Sequence, residues 1–268
     1  MRVIADIAQW SVFTFGLMLL IVQLVAYELG NWLGRTRKAD GEVEGVGAVV
    51  GSMLALLAFV LALTLSFAST RFTERRAGTL AEANAIGTAW LRARAIGGPH
   101  GSEIARLLEQ YTQVRLDFIR ATRESLAIGQ DNQQTNALQS EIWQHTTAIV
   151  QDHPDPVSAS LMAAVNDVFD MTMSERFAYE LRLPPQIFWL LMLMILLGMS
   201  GLGYQLGLKA RSLRILVTLL CIVWTLVIVD ILDLASARLG SFRTDIAAYE
   251  WALQGFKGGT AVPPADSR

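Results

Sequence analysis

Four long apolar runs limit what this chain can become. A bilayer core takes roughly 20 apolar residues in helical form. The sequence offers such stretches from about Trp10 to Leu33, Val46 to Ala68, Gln186 to Leu208 and Leu213 to Leu234. The first carries one charge, Glu28, the second none, and the last has Asp230 and Asp233 near its end. Only 17% of the 268 residues are charged, against about 25% in a soluble domain. The deficit is concentrated in these runs. The first run is too long for the core of a cleavable signal, and no small-residue cleavage site follows it.

Polar connections, GRTRKADGEVEG and KARS, join the runs in pairs. The expected fold is therefore an all-α membrane protein with four transmembrane helices in two hairpins, at 10–68 and 184–235. A polar block at 69–183, too long for a simple loop, is expected to form a helical extramembrane domain inserted between the second and third spans. Residues 236–268 are left as a tail, and its end, GGTAVPPADSR, reads as disordered.

Inside the polar block the period is helical. Ile104, Leu107, Leu108, Tyr111, Val114, Phe118 and Ile119 form a 3.6-residue stripe, with Ser102 placed to cap it and GQDNQQTN to close it. A shorter helix is marked by Leu138, Ile142, His145 and Ile149. Asp155 and Pro156 can start another, whose face is Leu161, Val165, Val168, Thr172 and Tyr179.

The passage ALTLSFASTRFTERRAGTLAEANAIGTAWLR, residues 62–92, leaves the second apolar run without a helix stop. Before it, Gly47, Gly51, Ala55, Ala62 and Ser66 fall on one face. Small residues let membrane helices approach closely, so this face either packs within its own subunit or lines a narrow pore in an oligomer. Arg71, Arg75 and Arg76 follow within two turns. They can anchor the helix at headgroups or, repeated around an oligomer, form a positive ring that favours anions. Glu82 is followed by Asn84, Thr88 and Arg92, whose spacing of four makes a polar strip on a small, packable helix; burial among other helices is expected to satisfy it. Asp230 and Asp233 are costly at membrane depth and are expected to meet water or an arginine.

Much is excluded. A net charge of −2 gives no reason to expect nucleic acid, and Cys221, the one cysteine, cannot form a disulfide within the chain. His100, His145 and His153 lack zinc-motif spacing, and no phosphate-binding loop or nucleophile elbow is present. No enzyme activity, cofactor or metal is expected.

The stretch RFTERRAGTLAEANAIGTAWLR resembles the bestrophin-like family of bacterial membrane proteins (domain of unknown function 4239). That family shows an R-x-x-x-R-R turn followed by a sequence close to E-A-N-A-I-G-T-A-W/Y-L-R. Tyr111 and Arg115 resemble its Y-x-x-x-R, LPPQIFWLLM and GYQLGL its third span, and Asp230 and Asp233 its closing acidic pair. The resemblance runs from about Gly45 to Arg243. It implies a distant kinship with bestrophins, which are pentameric anion channels whose second helix lines the pore. The acidic calcium clasp of animal bestrophins has no counterpart after Asp233.

Four spans put both termini and the central block on one side. Arg35, Arg37, Lys38, Lys209, Arg211 and Arg214 pull the connections inward. The arginines of the block and the family kinship favour a cytoplasmic block, and that side is chosen. The expected protein is a multi-pass inner-membrane homo-oligomer in contact with the lipid bilayer, conducting inorganic anions along its second helix. The alternative is a non-conducting scaffold or regulator whose helical domain binds a protein partner.

Overall fold

The computed structural model describes residues 12–37, 43–121, 125–180, 184–211, 213–236 and 242–258. Among the described residues all regular structure is helical. The helices are α1 (Val12–Thr36), α2 (Val43–Ile96), α3 (Gly98–Arg120), α4 (Ser125–Asp152), α5 (Pro156–Glu180), α6 (Pro185–Leu208), α7 (Arg214–Ala235) and α8 (Ala247–Phe256). Four helical stretches are long and apolar enough to cross a membrane: α1, α2, the stretch ending in α6, and α7. The chain divides into two compact units. One comprises Met1–Arg71 with Arg182–Phe242, the other Phe72–Leu181 with Arg243–Arg268.

In the first unit the tightest pairing is between α1 and α6, not between chain neighbours. A Cβ on Gly203 would stand 2.1 Å from the backbone oxygen of Tyr27, and one on Gly207 2.4 Å from that of Asn31. The same holds in reverse, because a Cβ on Gly30 would meet the Ser200 oxygen at 2.0 Å and one on Gly34 the Tyr204 oxygen at 2.3 Å. Two glycine pairs thus bring the helix backbones into contact, as small residues do in membranes. α7 joins α1 through Gln23 Nε2, which donates to Thr225 Oγ1 at 2.8 Å. An exposed Arg214–Glu28 ion pair at 2.9 Å adds a second tie. Gly198 and Gly201 of α6 receive Leu54 and Val50 of α2.

The second unit has an ordinary apolar core: Ile86, Ala89 and Ala93 from α2, Ile104, Leu107 and Leu108 from α3, Ile142 from α4, and Leu161, Val165 and Val168 from α5. The α2–α3 turn uses Gly97 and Gly98 at φ 67° and 64°, a left-handed conformation that glycine adopts without strain. Gly101 then lets α3 lie close to α2, since a Cβ there would be 2.7 Å from the Ala93 oxygen.

Three expectations are corrected. α3 begins at Gly98 with Pro99 in its first turn, so Ser102 lies inside the helix and caps nothing. GQDNQQTN is not a break, because α4 runs through it as one helix of 28 residues. Its glutamines and asparagines sit mostly on exposed positions while Thr135, Ile142 and Ile149 turn inward, so tertiary burial overrides weak propensity. The tail contains α8, which places Tyr249 in the second unit's core. The start of α5 is as read: Asp155 Oδ1 accepts from the Ser158 N–H at 2.8 Å, with Pro156 first in the helix. The final GGTAVPPADSR lies outside the described residues apart from Gly258.

Candidate functional site

Within the first unit α2 has three faces. Val50, Leu57, Leu61, Thr64 and Ala68 are buried against their own chain. Val49, Leu56, Phe59, Leu63 and Phe67 are large, apolar and exposed. Gly51, Ala55, Ala62 and Ser66 are exposed as well, and a Cβ on Gly51 would meet nothing within 4 Å. At about 100° per residue the three sets lie roughly a third of a turn apart. The small-residue face is therefore not the one that holds the subunit together. Gly47 departs from it, being half-buried with Gln205 Nε2 2.9 Å from its would-be Cβ.

The three arginines separate. Arg75 is 1% exposed within its own subunit. Arg71 is half-buried, its guanidinium 4.9 Å from the centroid of the Phe67 ring. Arg76 is exposed and makes a long 3.6 Å contact with Asp245. The two acids separate too: Asp233 is buried and Asp230 exposed.

The polar strip of α2 does not fill the interior. Asn84, Thr88 and Arg92 are exposed. Thr88 Oγ1 donates back to the Asn84 oxygen, and Arg92 Nη1 donates to the Ser160 oxygen at 2.6 Å. Only Glu82 turns inward, and it reaches a buried charge cluster that the sequence reading did not find. Arg115 of α3 donates through Nε to Glu82 Oε1 at 2.6 Å and through Nη2 to Glu82 Oε2 at 3.1 Å. The same Nη2 reaches Glu175 Oε2 of α5 at 3.1 Å. Thr79 Oγ1 donates to Glu175 at 2.5 Å, and Thr172 Oγ1 lies 2.9 Å from Glu82 Oε1. All three charged residues are at most 1% exposed.

Two carboxyl groups face one guanidinium there, so full ionisation would leave a buried negative charge, which is very costly. The hydroxyl of Tyr249 lies 2.7 Å from Glu82 Oε2 and 2.8 Å from Glu175 Oε2. A hydroxyl has one proton to give, so the second contact calls for a proton on a carboxyl. Burial, then the adjoining Glu82, pushes the Glu175 carboxyl up to about 8. Burial also acts against ionised Glu82, but the charge and hydrogen bonds of Arg115 outweigh it and hold that carboxyl low. The cluster is thus one ion pair plus one neutral acid. Each member sits in phase with the apolar residues of its own helix, and that is the signal that could have found it: Glu82 with Ile86 and Ala89, Arg115 with Tyr111 and Phe118, Glu175 with Leu161 and Val168.

A chain of membrane-length apolar helices with a glycine-locked pair is an integral membrane protein. It belongs to the bestrophin-like family, the Bestrophin-like domain matching residues 16–244. No curated protein and no solved structure matches the chain.

Proposed function

We propose that the protein is an oligomeric anion channel whose subunits meet around the small-residue face of α2. The observation that carries this reading is the three-faced helix. Large apolar side chains suit lipid, and a buried face already ties α2 to its own chain. Gly51, Ala55, Ala62 and Ser66 offer lipid little to pack against and suit a close neighbour or a narrow pore. Arg76, exposed further along the same helix, supplies positive charge of the kind that favours anions. In this reading the four spans form two sequence hairpins, and the second unit is an inserted domain on the cytoplasmic side of an inner membrane. Family membership supports a channel through the kinship that the family's name expresses.

Halide efflux from liposomes holding the purified protein tests this. Efflux is expected from the wild type, with strong loss in Ala55→Trp, a changed anion preference in Arg76→Glu, and little effect from Leu63→Ala on the lipid-facing side. Absence of efflux from a folded, reconstituted assembly overturns the channel and leaves a scaffold whose helical unit binds a partner. Efflux unchanged by Ala55→Trp overturns the assignment of α2 to the pore.

A further inference from the structure

The second unit brings together four side chains from two helices, a pair from each. Glu103, Glu141 and His145 each offer a donor atom, and these atoms all lie within 4.8 Å of one another. His100 lies outside that set of three but borders it, its Nδ1 2.8 Å from Nδ1 of His145. Two donors come from the first turns of α3, at i and i+3, and two from α4, at i and i+4. Such spacings put both side chains of a pair on one helix face, and facing helices commonly build metal sites this way. The platform is firm, because the Gly97–Gly98 turn and the close approach at Gly101 fix the start of α3 on α2. His100, Glu103 and His145 are half-buried, while Glu141 is exposed, which leaves a path for an ion to enter.

We propose that His100, Glu103, Glu141 and His145 bind one divalent transition-metal ion of the zinc class, stapling the start of α3 to α4. Two imidazoles and two carboxylates are a donor set that Zn²⁺ accepts in a tetrahedral site. Metal–nitrogen bonds of about 2.0–2.1 Å at a tetrahedral angle set the nitrogens roughly 3.3 Å apart. The 2.8 Å separation of the two Nδ1 atoms is within a small side-chain shift of that. The competing use of the imidazole pair is a single hydrogen bond between neutral rings. A competing partner also exists for Glu103: Arg106 donates to both of its oxygens, Nε at 3.0 Å to each. Arg106 is itself half exposed, so it can swing away. Its removal frees a ligand without disturbing the core.

The test uses the untagged full chain in detergent, titrated with Co²⁺ as a visible-absorbing probe and then with Zn²⁺ in competition. One Co²⁺ per chain with a tetrahedral spectrum is expected, displaced by Zn²⁺. Affinity should fall by about tenfold or more in His145→Ala and in His100→Ala. It should rise in Arg106→Ala, a surface change that threatens folding least. Absence of a stoichiometric cobalt spectrum in the wild type overturns the proposal. Binding that survives in a folded His100→Ala/His145→Ala protein, or that is unmoved by Arg106→Ala, overturns it as well.

Discussion

The two units solve the same packing problem with opposite chemistry. In the first, α1 and α6 meet through Gly30, Gly34, Gly203 and Gly207, with backbone against backbone. In the second, α2, α3 and α5 meet through Glu82, Arg115 and Glu175, with charge against charge inside an apolar core. The contrast follows from the solvent each sequence is suited to. Lipid supplies no hydrophobic gradient to press helices together, so close approach has to come from shape. Water drives apolar burial strongly, so a core can tolerate a costly polar cluster whose many directed bonds fix the register of three helices.

The charge cluster is where a single change should do most damage. Arg115→Ala leaves two carboxyl groups buried with no cation. Removing one partner of such a group costs about 3–5 kcal/mol. Thermal unfolding of the purified protein should show that loss at neutral pH, and the loss should shrink as the pH falls and the carboxyls take up protons. A loss below about 1 kcal/mol would mean the cluster contributes nothing to holding the helices, and the contrast between the units would collapse. Next comes the glycine contact. Gly203→Ala places a methyl 2.1 Å from a backbone oxygen, and helices forced apart in a packed interior lose about 1–3 kcal/mol. Gly51→Ala meets nothing within its own subunit and should leave subunit stability unchanged or slightly raised. Equal losses from the two changes would show that shape complementarity at α1–α6 is not special.

How far all this was legible depends on which signal each element carries. Membrane-length helices follow from run length, and the stripe Ile104–Leu107–Leu108–Tyr111 is buried as its period says. The contacts at Gly30, Gly34, Gly203 and Gly207 do not follow from run length, because a glycine in an apolar run does not say which backbone it will meet. The buried cluster was hidden for a different reason. The spacing of Asn84, Thr88 and Arg92 points to them as the polar strip to be buried, yet they are exposed, and it is Glu82 and Arg115 that sit in phase with the apolar faces. Phase, not polarity, decides which side of a helix is inside. The pairing of His100 with His145 could not be found in either way, because it is a product of how α3 and α4 pack.

The finest test of the contrast is its response to pH. Nothing in the glycine contact can titrate, whereas the cluster holds a proton that the unfolded chain would release. Burial and the adjoining Glu82 push the Glu175 carboxyl from its ordinary 4.5 up to about 8. A raised carboxyl favours the folded state fully below the ordinary value. That advantage is lost as the pH climbs from about 4.5 towards about 8, and nothing remains to lose above that. The slope is on the order of 1 kcal/mol per pH unit. Glu82, held low by Arg115, titrates on the acid side of this window and does not oppose the trend. Glu175→Gln keeps the shape of the neutral acid but cannot ionise. Its unfolding temperature should therefore be flatter than the wild type's between pH 5 and pH 8, with the two curves diverging upward in pH. Parallel curves would mean that Glu175 is ionised in the folded protein, and that the second unit tolerates two buried carboxylates against one arginine.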